Sequence, residues 1–276
     1  MNVRPRYWRP ERFDEIVGKT NEPAVRCVQE FALRRAPFAG LFLGPFGTAK
    51  TSAARIVHRS YCCKCPDPVT ADACMKCDGC RCVGPEYNGD VHGYRRWEID
   101  CTINTRQKII EVLEQARQEP KALLTFDEIH RLDEHTAQEP LLKFAEDFTS
   151  GVFLAVTMTD PDAPRERPVN ISPPLYDRLQ KFYFGIPTAP EMVALFEKKV
   201  PMWGVDAEEA TLCYLVERTQ LSFRACLHML DVAVMVKGGK LTRELIDQYL
   251  GAPEEDANDD PPIDPFEEHP EADENQ

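Results

Sequence analysis

The sequence predicts an α/β fold: a parallel sheet with helices on both faces, followed by a small helical domain. Three observations carry that prediction. Gly44-Pro45-Phe46-Gly47-Thr48-Ala49-Lys50-Thr51 is a Walker A phosphate loop set between an apolar run and a segment of helical character. Short apolar runs then alternate with helix-patterned segments as far as about Gly185. From Ala189 onward the pattern is helical alone.

The elements follow in chain order. Residues 38–43 read as a buried strand, and residues 52–58 as the helix that leaves the loop. Strand, glycine loop and helix are the context that this motif requires. In that setting the loop amides and the helix N-terminus cradle phosphates, and Lys50 neutralises them. The Thr51 hydroxyl ligates Mg²⁺, and Ser52 in the first turn is a further nucleotide contact. Ala49 stands where the usual pattern has glycine. Position 49 is expected to open the helix, where alanine's φ is acceptable, so the loop is expected to stay active.

Residues 106–119 carry Ile109, Ile110, Leu113 and Ala116 at helical spacing, with Asn104 as the expected cap. Residues 122–126 and 151–157 read as further strands. At the end of the first of these stand Asp127 and Glu128, a carboxylate placed to hold Mg²⁺ and a neighbour placed to polarise water. Pro140 is expected to kink or break a helix just before Leu141. The second domain reads as helices over 192–199, 207–218, 223–236 and 242–250.

Eleven cysteines occur in a chain whose N-terminal residues lack the apolar core of a secretory signal, so the thiols point to metal or burial and not to disulfides. Cys65, Cys74, Cys77 and Cys80 form C-x8-C-x2-C-x2-C in an insertion over about 61–83, a donor set that suits a closed, structural zinc site. Cys62, Cys63 and Cys82 are nearby thiols that could exchange with them as ligands. The net charge of −13 is concentrated in residues 253–276, which hold eleven acids and no Lys or Arg. That segment reads as a disordered acidic tail with Ile263 and Phe266 among the acids. The body is close to neutral and can still present a basic face to nucleic acid. No apolar run approaches the roughly twenty residues of a membrane span, which points to a cytoplasmic protein.

With these motifs in hand, the chain resembles the gamma/tau subunits of bacterial DNA polymerase III, the AAA+ ATPases of the sliding-clamp loader. Trp8-Arg9-Pro10, Phe13 and Ile16-Val17-Gly18 match the family's opening segment, and the cysteine insertion after the loop helix matches in place and spacing. Glu98-Ile-Asp100 and Asp127-Glu-Ile-His130 match further strands, and Asp160-Pro161 and Pro174–Leu179 match the segment beyond. The resemblance implies an AAA+ domain over 1–187 and a helical lid over 188–252. It implies that Trp8, Arg9, Pro10 and Val17 pack against adenine. It makes Arg178 a trans arginine finger for a neighbouring subunit's ATP and Arg224 the sensor that reaches the γ-phosphate from the lid. Either Thr157 or Thr159 is the matching sensor on the central strand.

The implied cofactors are ATP, Mg²⁺ and structural Zn²⁺. The implied partners are other clamp-loader subunits in a ring, the sliding clamp and primer–template DNA, with no membrane. The family's third, collar domain has no counterpart in these residues, so a short, divergent form is expected to assemble through other surfaces or subunits. Asp177 and Leu179 depart from the family's serine and cysteine, and the loop over 101–106 is shorter than in the family. Two alternatives are a subunit that binds ATP without hydrolysing it and an AAA+ ATPase of recombination or repair.

Overall fold

The computed structural model describes residues 5–251 apart from 82–89, 92–93, 120, 135–136, 149–150, 160–166, 169 and 237. The expected acidic tail and the Asp160-Pro161 pair lie outside the described residues. Chain order gives α1 (Glu22–Arg34), β1 (Phe38–Gly44), α2 (Lys50–Cys62), α3 (Asp78–Arg81), β2 (Asp90–Val91) and β3 (Tyr94–Asp100). There follow α4 (Arg106–Arg117), β4 (Ala122–Asp127), α5 (Glu139–Asp147), β5 (Gly151–Met158), α6 (Pro173–Arg178) and β6 (Gln180–Tyr183). The chain closes with α7 (Ala189–Lys199), α8 (Glu209–Arg218), α9 (Phe223–Val236) and α10 (Arg243–Leu250).

The strands lie in one sheet of order β2-β3-β4-β5-β1-β6. Every neighbouring pair is parallel except β2 with β3, an antiparallel edge that the sequence pattern did not announce. A strand buried on both faces alternates between two cores, which is why these runs are continuously apolar. Along β1, Phe42 enters a core with α1 and α2, while Leu41 and Leu43 enter a second core with α4, α5 and α6. Helices therefore cover both faces, as expected. A third core unites α7 to α10 around Phe196, Leu212, Leu230 and Ile246, with Trp8 packed against it from the N-terminal segment.

Two local expectations are corrected. Thr105, not Asn104, caps α4: its Oγ1 accepts the Lys108 amide at 3.4 Å, and the Asn104 side chain turns back to the Asp100 carbonyl at 2.8 Å. Pro140 breaks no helix, because α5 begins one residue earlier and places the proline in its first turn. No intrahelical donor is needed there. Among the described residues no helix is long and apolar enough to cross a membrane.

Candidate nucleotide site

The phosphate loop leaves the buried end of β1 and is built largely from its own carbonyls. Thr48 Oγ1 donates to the Pro45 carbonyl at 2.9 Å. Gly47 sits at φ 82°, a region that L side chains rarely adopt. Ala49 does the same at φ 63°, ψ 17°, so it does not open α2 in a helical conformation as expected. It caps the helix from the left-handed region, and the turn is completed before Lys50 begins the helix. The Cβ at this point is therefore held in strain, on the order of 1 kcal/mol.

Lys50 is 7% exposed, and its Nζ donates to the carbonyls of Gly44 at 2.8 Å and Pro45 at 2.7 Å. Burial pulls its pKa down to about 8, against the pull of Glu128 and Asp127. The folded value lies below the ordinary 10.5, so keeping this ammonium buried costs stability below pH 8, a cost that fades as pH rises toward 10.5.

The acids arrive on β4. Thr51 Oγ1 donates to Asp127 Oδ2 at 2.9 Å, which brings the first turn of α2 against the strand end. Burial raises the Asp127 pKa, and the Thr51 hydrogen bond opposes that rise. Glu128 stands at φ 55° with its carboxylate 3.3 Å from His130 Nε2, and His130 Nδ1 lies 3.1 Å from Thr157 Oγ1. The sequence motif contained His130 without assigning it a task; here it joins the acid to β5. Thr157 pairs with Leu43 in the sheet, whereas Thr159 donates its amide to the Gly44 carbonyl at 3.2 Å. Both threonines thus lie beside the loop.

A cavity of about 350 Å³ runs from this edge to α9 of the helical domain. Residues 46–52, Asp127 and Glu128 line it together with Trp8, Arg9, Pro10 and Val17 of the N-terminal segment and Phe223 and Arg224 of α9. The Arg224 guanidinium lies 4.3 Å from the Phe46 ring centroid, a cation–π contact between lid and loop. Burial lowers the Arg9 pKa, and Arg55 and Arg224 lower it further. Arg55, which sequence reading passed over, bonds Glu98 through Nε at 3.0 and 3.1 Å and brings a third guanidinium near the cavity. Only its place in the helix after Lys50 could have signalled it. Arg178 lies outside this cavity. At the end of α6 its guanidinium donates to the carbonyls of Glu146 at 3.0 Å and Ala145 at 3.4 Å, and so caps α5.

The cysteine cluster forms with one change of membership. The sulfurs of Cys63, Cys74, Cys77 and Cys80 all lie within 4.8 Å of one another. Cys63 therefore takes the place expected of Cys65. The Cys63 amide closes the end of α2 on the Arg59 and Ser60 carbonyls, and its buried sulfur accepts the Cys74 amide at 3.3 Å. Cys65, two residues on, stays exposed. Backbone donors at Lys76 and Cys77 hold the Cys74 thiol down to about 5. Cys62 is in the α1–α2 core, and Cys82 lies outside the described residues.

A phosphate loop after β1, an acidic pair at the end of the parallel strand β4 two places away and an arginine of the helical domain lining the same cavity define a nucleotide-binding ATPase module. The chain belongs to the family of ATPases associated with various cellular activities (AAA), which matches residues 40–185. Among its relatives, DNA polymerase III subunit tau of Bacillus subtilis is 28% identical over 87% of this chain and 40% of its own length. Subunit tau of Escherichia coli is 26% identical over 92% of this chain and 38% of its own. Subunit gamma of Buchnera aphidicola is 24% identical over 90% and 64%. The chain thus spans about two fifths of the length of the tau relatives. In fold it is similar to the RuvB Holliday junction branch migration motor of Thermotoga maritima, with a TM-score of 0.61 at 18% identity over 87% of this chain and 71% of that one.

Replacing Ala49 by glycine should release the strain at φ 63°. Denaturant unfolding of Ala49→Gly is expected to show a gain of about 1 kcal/mol over the unaltered chain.

Proposed function

We propose that this chain is an ATPase subunit of a sliding-clamp loader, using ATP binding and hydrolysis to place the clamp on primer–template DNA. The observation that carries the reading is the 2.9 Å hydrogen bond from Thr51 to Asp127 in the cavity that Arg224 also lines, which brings both halves of a Mg²⁺–phosphate site together. Thr51 and Asp127 are the residues that would hold Mg²⁺, and Lys50 with the loop amides would hold the phosphates. Glu128 orients and deprotonates the attacking water, and His130 fixes the direction of its carboxylate. Thr157 is the sensor on the central strand.

Arg178 serves the neighbouring subunit's ATP, which agrees with its position outside the chain's own cavity. Trp8, Arg9, Pro10 and Val17 take the base, and the lid begins at about residue 188. The ring's other members, the clamp and the DNA are the partners, in the cytoplasm. Turnover in the presence of clamp and primed DNA tests this: Lys50→Ala and Glu128→Gln should each lower kcat by at least about 100-fold. Turnover that survives either change would overturn the motor reading in favour of a non-hydrolysing subunit.

The four clustered thiols fit a tetrahedral, closed zinc site that would stiffen the insertion and supply no chemistry to the reaction. Zinc content measured on purified protein should fall well below one equivalent in Cys63→Ser and stay unchanged in Cys65→Ser. The Lys50 ammonium supplies a second check. Phosphates beside it raise its pKa from about 8, so binding of Mg²⁺–ATP should take up protons at pH 8.5 and not at pH 6.5. Calorimetry in buffers of different ionisation enthalpy reads this directly.

A further inference from the structure

We propose that the cysteine-bearing insertion anchors the base side of the nucleotide cavity through Asp72, a positioning residue that sets affinity for the nucleoside and not for the phosphates. The inference rests on the nucleotide reading above. The base-side wall is a strap running from Trp8 to Val17, with one 3₁₀ turn at Phe13–Glu15. Its internal hydrogen bonds centre on Glu15, whose carboxylate accepts the amides of Glu11 and Arg12, so its position depends on the elements it is tied to.

One tie is to the lid. Trp8 stands edge-on to Trp203 with centroids 5.6 Å apart, and Glu15 is ion-paired with Lys199. The other tie is to the insertion. Asp72 is 3% exposed, and its Oδ1 accepts the Phe13 amide at 2.8 Å, while the Arg12 guanidinium lies 3.5 Å from Oδ2. Phe13 itself is fully sunk in the α1–α2 core. Asp72 is seated in turn by three contacts. Its carbonyl accepts the Asp67 amide at 2.8 Å, Ser60 Oγ donates to the Ala71 carbonyl at 2.5 Å, and Gln29 Nε2 donates to the Thr70 carbonyl at 2.9 Å.

The segment between Cys63 and Cys74 is therefore more than a spacer between clustered thiols. It carries a buried carboxylate to a strap residue about 60 positions earlier in the chain. None of these contacts is made by the phosphate loop itself, whose own hydrogen bonds run through Gly44, Pro45 and Asp127.

The test is calorimetric titration of the full chain with Mg²⁺–ATP and, separately, with tripolyphosphate, with zinc content measured on each sample. Asp72→Ala removes a buried acceptor and is expected to raise the Kd for ATP about tenfold, with tripolyphosphate affinity and zinc content unchanged. Asp72→Asn keeps an oxygen for the Phe13 amide and should stay within about threefold of the unaltered chain. Should the alanine variant fail to fold, Asp72→Glu, which displaces the acceptor by one methylene, must still weaken ATP several-fold. An unaffected ATP affinity in the folded alanine or glutamate variant overturns the anchor, as does an equal loss for ATP and tripolyphosphate. An unaltered chain that binds no ATP overturns the nucleotide reading and the anchor with it.

Discussion

Parallel pairing of β4, β5 and β1 is the constraint on which the site depends. In a parallel sheet every strand ends on the same edge, so Asp127, Thr157 and Gly44 emerge side by side although more than a hundred residues separate the first and last of the strands that bear them. The antiparallel β2 lies at the far margin and leaves that edge intact. Helices supply the depth: α2 delivers Lys50 and Thr51, and α9 lines the cavity with Phe223, Arg224 and Leu227.

A buried polar chain holds α2 to the sheet. Arg55 and the fully buried Arg96 both bond Glu98, Arg96 Nε meets His58 Nδ1 at 3.3 Å, and His58 Nε2 lies 3.4 Å from Thr125 Oγ1. Burial keeps His58 neutral, its pKa pushed down first by desolvation and then by the two guanidiniums. Two cations sharing one carboxylate is costly in a low dielectric unless each remaining donor has a partner. The histidine ring is one such partner. The arrangement fixes the helix that carries the lysine in a way that apolar contacts alone, being non-directional, do not.

Much of this was legible in the sequence. Apolar runs with no polar alternation announced a doubly covered sheet, and the loop and the acidic pair announced the edge where nucleotide is held. What sequence could not give depended on conformation at single residues. Ala49 reads as a helix residue by propensity, yet its place in the turn puts it at φ 63°. Cys65 fits the ligand spacing better than Cys63, but spacing ignores that α2 ends at Cys62 and turns the next sulfur inward. Pro140 reads as a breaker only if a helix already precedes it. Asp72 left no local signal and Arg55 only its place in the helix after Lys50, because their partners lie 59 and 43 residues away.

Gly44 is commonly read in such loops as room for a phosphate. Here a Cβ at this position would lie 2.0 Å from the carbonyl oxygen of Phe184, the residue that follows β6. The same stretch of backbone, Phe184 to Gly185, bonds Leu43 and Asn21 and leads within a few residues to α7. The root of the phosphate loop and the root of the lid are therefore joined backbone to backbone, with no side chain between them to be retuned. Any side chain at 44 would have to displace the Phe184 carbonyl, and with it the backbone that leads into α7, so a change made for the phosphates would be felt at the helical domain.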